Sequence, residues 1–168
     1  MNRQRGLVLR GAVAMVAFWL AVMALLYWAM DRWQQPRAAR VMATGELVIP
    51  RHADGHFRIA GSIDGEPVLF LVDTGASVVS VSEALARRAG LEGGEPASFR
   101  TANGVREGRM VRAGKIALQG GTAVTGLRVG VGLQIGADDA QALLGRNFLQ
   151  HFEVRMDRDS MQLRARAD

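Results

Sequence analysis

The stretch that decides the fold is "PVLFLVDTGASVVSVS", residues 67–82. Five apolar residues, Val68 to Val72, run straight into Asp73, and a second apolar run begins at Val78. An unbroken run of β-branched and aliphatic residues reads as a buried strand. A carboxylate at the end of such a strand is expensive to bury unless something pairs with it. Turn aspartates are ordinarily exposed, so Asp73-Thr74-Gly75 in this setting is more than an Asx-turn.

Around this centre the pattern is mostly β. "GHFRIAGSI" alternates apolar and polar residues, and Asp64-Gly65 supplies a turn into the Val68–Val72 strand. "VVSVS" is a further short strand. "SEALARRAG" is the clear helix, capped by Ser82 and ended by Gly90. "ASFRTANGVREGRMVRAG" reads as two strands joined by a hairpin at Asn103-Gly104. "KIALQG", "TAVTGLRVGVGLQ" and "FEVRMDRDSMQLRA" are strands, the last a pair turning at Asp157–Ser160. "LLGRNFLQH", Leu143 to His151, breaks the alternation and reads as a glycine corner with a short helix.

Composition limits the alternatives. The 168 residues, 49% of them hydrophobic, suffice for one domain with a proper core. Cysteine is absent, which removes disulfides, thiolate metal sites and a cysteine nucleophile. The net charge of +5 resides in residues 1–40, where six arginines face only Asp31. Residues 41–168 balance 15 Lys+Arg against 15 Asp+Glu, so no basic footprint for nucleic acid remains.

Gly11 to Met30 holds 20 residues without a charge. At 1.5 Å per residue that spans about 30 Å, the thickness of a bilayer core. Tyr27, Trp28 and Trp33 stand where an interfacial aromatic belt sits. The core is longer than that of a signal peptide and no small-x-small cleavage site follows. The expected organisation is a cytoplasmic N-terminus over residues 1–10, a transmembrane anchor over 11–30, a linker over 31–50 and the folded domain over 51–168. Arg3, Arg5 and Arg10 precede the span; Arg32, Arg37 and Arg40 follow it. With the α-amino group the balance favours the N-terminus inside, and the domain in the periplasm or otherwise outside the plasma (inner) membrane.

Other motifs carry less. Glycines 130, 132 and 136 do not have dinucleotide-loop spacing. His52 and His56 fall in a turn and read as surface histidines. Asp157-Arg158-Asp159 reads as a hairpin turn, since no twelve-residue calcium loop surrounds it. Ser77, Ser80 and Ser82 lack the G-x-S-x-G elbow of a serine hydrolase. No metal and no cofactor is expected.

"LVDTGAS" resembles the active-site loop of aspartic proteases, and "LLG", Leu143-Leu144-Gly145, resembles that family's second signature. With "RTANG" and "LLGRNFLQHFEV", residues 51–165 are similar to the retropepsin-like, membrane-anchored aspartic proteases of bacteria. The resemblance implies a closed β-barrel of the acid-protease fold with one or two short helices behind an N-terminal transmembrane helix. It implies an endopeptidase with Asp73 as the catalytic residue in a loop completed by Thr74, Gly75, Ala76 and Ser77. Thr74 would lock two loops together and Gly75 would allow close backbone approach. Leu143, Leu144 and Gly145 would support the loop from beneath. The hairpin Thr101, Ala102, Asn103, Gly104, continuing to Arg106, would be the flap over a protein or peptide substrate.

The chemistry needs two carboxylates sharing a proton, because like charges that close cannot both ionise easily. This chain has a single D-[ST]-G; Asp54-Gly55 and Asp64-Gly65 lack the middle residue. The partner of Asp73 is therefore expected to be Asp73 of a second chain across a two-fold axis, in a homodimer. The alternative is a catalytically silent relative, tethered to the membrane, that binds extended peptides by strand addition.

Overall fold

In the computed structural model, residues 2–34, 39–41, 45–101, 103–133, 135 and 140–166 are described. The chain divides into two units, residues 1–35 and 36–168.

The first unit is one helix, α1 (Asn2–Gln34), of 33 residues. Its segment Val13–Arg32 has a mean hydropathy of 2.1 and is long and apolar enough to cross a membrane. Phe18, Trp19, Leu25 and Leu26 are all exposed. A helix apolar on every side has no single face to lay against a core.

The second unit is mostly β. In chain order it holds β1 (Arg40–Val41), β2 (Leu47–Pro50), β3 (Arg58–Ile63), β4 (Glu66–Val72), β5 (Val79–Val81), α2 (Glu83–Arg88), β6 (Glu95–Thr101) and β7 (Gly104–Arg112). Then follow β8 (Lys115–Leu118), β9 (Ala123–Thr125), β10 (Arg128–Val131), β11 (Gln141–Leu144), α3 (Arg146–Leu149), β12 (Phe152–Met156) and β13 (Ser160–Ala165). Nine strands form one sheet in the order β6-β7-β10-β5-β11-β4-β3-β8-β9, and four form another in the order β1-β2-β13-β12.

Local chemistry sets most of these boundaries. Asp64 and Gly65 both take positive φ, 50° and 93°, which suits the tight turn between β3 and β4. Ser82 caps α2 by accepting the Leu85 N–H at 3.1 Å, and Gly90 at φ 67° follows its end. Gly126, at φ 69°, breaks "TAVTGLRVGVGLQ" into β9 and β10, which lie far apart in the sheet order.

Two readings of the sequence change here. The segment expected as linker supplies β2, whose Leu47 and Ile49 are fully buried and which pairs with β13. Its short L-V-I-P alternation is masked by the polar residues before it. The run Val68–Val72 is not buried throughout: Val68, Phe70 and Val72 are core, while Leu69 and Leu71 are half-buried on the opposite face. The sheet therefore has a core face, carrying Val79, Val129 and Leu144 as well, and a second face that is half-buried at Leu69, Leu71 and Leu143 and buried at Ser80 and Gly130.

Candidate active site

The site is built where β4 ends and β5 begins, on either side of β11. These two strands follow each other in sequence but do not pair. β11 lies between them, parallel to β4 (Leu143 opposite Leu71, Leu144 opposite Val72) and antiparallel to β5 (Leu143 opposite Ser80). The connecting loop, residues 73–78, must therefore cross over the end of β11, where Gly145 stands. A Cβ on Gly145 would fall 2.4 Å from the Val78 carbonyl oxygen and 2.9 Å from its nitrogen. Only glycine lets the loop pass this closely.

Backbone hydrogen bonds fix the crossing. Asp73 N–H donates to the Leu144 carbonyl at 3.2 Å, Arg146 N–H to Ala76 at 2.8 Å and Asn147 N–H to Ser77 at 3.2 Å. Asn147 adds its side chain. Its Oδ1 accepts the Val79 N–H at 2.9 Å, and its Nδ2 donates to the Arg128 carbonyl at 2.7 Å. Sequence reasoning passed over Asn147. The available signal was an amide two residues beyond the glycine corner, a position that only the chain crossing makes meaningful.

Asp73 is half-buried. Strand alternation carries its side chain to the same face as Leu69 and Leu71, away from the core. Its Oδ1 accepts the Gly75 N–H at 2.8 Å. Among the described residues it has no ion pair. Thr74, Gly75 and Ser77 are exposed, and Ala76 is half-buried. Leu144 is fully buried and offers its carbonyl to the loop, whereas Leu143 lies on the Asp73 face beside Leu71. The two leucines thus do not both pack beneath the loop; alternation along β11 sends them to opposite faces.

Beside the loop opens a cleft of about 1050 Å³. Its lining includes Thr74 and Ser77 of the loop, Arg146 and Asn147 of α3, and Phe152 and Val154 of β12.

The hairpin expected at Asn103-Gly104 is present with a different register. Thr101 pairs with Gly104, so Gly104 opens β7 and is not a central turn residue. Thr101 Oγ1 closes the turn, donating to the Gly104 carbonyl at 2.8 Å and accepting the Asn103 N–H at 3.2 Å. Ala102 lies outside the described residues. His52 is not a plain surface histidine: it is half-buried, and its Nδ1 stands 3.0 Å from Arg58 Nη1 and 3.1 Å from Asp54.

With this geometry in hand, the family becomes clear. The family model described as "gag-polyprotein putative aspartyl protease" matches residues 59–151, more than half of the chain. The chain belongs to the retropepsin-like aspartic proteases. It is similar to a retropepsin-like aspartic protease from Rickettsia conorii, known from its crystal structure. That likeness has 29% identity and a TM-score of 0.59, over 71% of this chain and 89% of the other. It is also 35% identical over 63 residues to an uncharacterized protein of Rickettsia prowazekii (strain Madrid E). That match covers 36% of this chain, which spans only 27% of the relative's length.

Proposed function

We propose that the chain is a membrane-anchored aspartic endopeptidase that activates a water between the Asp73 carboxylates of two copies. The carrying observation is the condition of Asp73 in a single chain. Its loop backbone is clamped through Leu144, Arg146 and Asn147, yet among the described residues its carboxylate meets the Gly75 N–H and no cation. A carboxylate fixed in place but left without a counter-charge is what the shared-proton mechanism needs, because its partner must be another carboxylate. The ionised member of the pair draws a proton from the water, and the protonated member polarises the scissile carbonyl.

In this reading Thr74 and the cleft beside it are the surface against which the second copy sits, and the hairpin at Thr101–Arg106 covers the substrate. Residues 11–30 hold the enzyme in the membrane, with residues 1–10 on the cytoplasmic side and the β unit outside. Parallel anchors raise the effective concentration of one domain for another. The substrate is an extended peptide lying across the Asp73 face.

The test is cleavage of a mixed-peptide substrate by the full chain in detergent, wild type against Asp73→Asn. The variant loses about 10²–10⁴-fold in rate, the usual worth of general acid–base catalysis. Its thermal midpoint stays within about 2 °C of wild type, since the carboxylate holds no strand in place. Retained cleavage by the variant contradicts the assignment. Absence of cleavage by the folded wild type, with peptide still bound, favours the silent peptide-binding domain.

A further inference from the structure

The turn between β12 and β13 is Asp157, Arg158 and Asp159, and each of these residues gives its backbone carbonyl to Arg51. Asp159 accepts the Arg51 backbone N–H at 2.8 Å. Arg158 accepts from Nε at 2.6 Å, and Asp157 from Nη2 at 3.2 Å. Nη1 donates to the Gly55 carbonyl at 2.6 Å, in the loop before β3. The guanidinium carbon lies 4.3 Å from the centre of the Phe57 ring. Phe57 is buried, and its carbonyl accepts the Val72 N–H at 2.9 Å, one residue before Asp73. One side chain thus joins the β12–β13 hairpin, in the four-stranded sheet, to the segment beside β4, in the nine-stranded one.

β12 is an edge strand, paired on one side with β13. At Phe152 it is held by α3, where the Phe148 and Phe152 rings stack at 5.3 Å. Its other end, Met156, is 50% exposed and runs directly into the turn that Arg51 holds. Phe152, Val154 and Met156 line the same cleft as Thr74 and Ser77 of the Asp73 loop. We propose that Arg51 is a positioning residue: it holds the Met156 end of β12 relative to the Asp73 loop, and so fixes the cleft in the shape on which the second copy seats. This deepens the pairing of copies proposed above and rests on it. A guanidinium suits the task because its planar fork sends donors in fixed directions, here to carbonyls of two segments about a hundred positions apart. A lysine keeps the charge and reaches only part of this set. In a two-fold pair both copies present the same surface, so a displaced β12 counts twice.

The experiment uses the full chain at a fixed detergent concentration: wild type, Arg51→Ala, Arg51→Lys, and Asp64→Ala as a control destabilised elsewhere. Association is read over a dilution series by cross-linking differently tagged chains, and peptide cleavage is read alongside. In Arg51→Ala the chain concentration for half-maximal association rises about 10-fold or more, as expected on losing hydrogen bonds from a charged group. Cleavage per associated pair stays near wild type. Arg51→Lys shifts association the same way by less, and Asp64→Ala associates as wild type does. A shift in Arg51→Ala no greater than that in Asp64→Ala overturns the proposal. If Arg51→Ala does not fold, wild-type association in Arg51→Lys overturns it equally. Association weakened by Arg51→Ala, with no cleavage by any of the folded proteins, upholds the proposal and overturns the protease reading alone. Wild type that stays monomeric at every concentration overturns the pairing and this inference with it.

Discussion

Three aspartates, each close to a glycine in sequence, are held in two different ways. Asp64 accepts the Gly114 N–H at 3.1 Å and the Lys115 N–H at 2.6 Å, so its carboxylate ties the β3–β4 turn to the start of β8. Asp54 accepts the His56 N–H at 3.0 Å and is paired with Arg58 and His52. Around Asp73 the bonds are made by the backbone and by Asn147, and the carboxylate receives one N–H from its own loop. The first two aspartates spend their charge on structure. The third is positioned with its charge left over. On the proposed function, this contrast separates the structural carboxylates from the one assigned to chemistry more sharply than the Asp-Gly spacing does.

The contrast can be strained at its positioning side first. Gly145→Ala forces a methyl group toward the Val78 carbonyl, a backbone atom that cannot swing aside. The loop must shift, and a displacement of about 1 Å at a reacting group costs on the order of 10²-fold in rate. Overpacking of this kind also destabilises by about 1–3 kcal/mol. Peptide-cleavage kinetics with a denaturant titration read both effects; a normal rate would mean that the crossing does not position Asp73.

Asp64→Ala addresses the structural side. It removes the acceptor for two N–H groups and places alanine at a positive φ, so it destabilises by about 1–2 kcal/mol. The rate per folded molecule stays near wild type. A variant that kept its stability and lost its rate would reverse the roles assigned to Asp64 and Asp73.

The smallest effect concerns Asp54 and pH. Partial burial pushes its carboxyl up, but the His56 N–H, the Arg58 guanidinium and His52 outweigh that and hold it below the usual carboxylate range. A carboxyl lowered by folding adds stability above its unfolded value. That contribution is lost as pH falls through its folded value. Asp54 is partly exposed, so the contribution is below about 1 kcal/mol. Asp54→Asn is therefore slightly less stable than wild type at pH 7, and the gap closes below about pH 4. Thermal melts at both pH values check this; a gap that widens in acid would contradict it.

How much of this was legible in the sequence follows from the range of each signal. The turn at Asp64-Gly65, the Ser82 cap and the hairpin near Asn103 depend on residues a few positions apart, and all three appear where the local pattern placed them. The hairpin's register slipped by one, because the Thr101 side chain closes the turn and Asn-Gly does not fill its centre. β2 was missed because four residues between polar neighbours have too short a pattern to stand out; their burial comes from β13, over a hundred positions away. The Asp73 motif was legible as a resemblance. The insertion of β11 between β4 and β5 was not, so neither the division of Leu143 and Leu144 between faces nor the clamp by Asn147 could be read.

The central claim is that two chains contribute one Asp73 each. Wild type and Asp73→Asn chains, distinguishable by tags, are co-expressed in equal amounts, purified in detergent and assayed together. If each active unit needs both carboxylates and the chains pair at random, half of the wild-type chains are trapped in mixed pairs. Activity per wild-type chain then falls to about half that of wild type alone. Activity per wild-type chain that is unchanged by the variant would mean that a single chain completes the site, and would contradict the account.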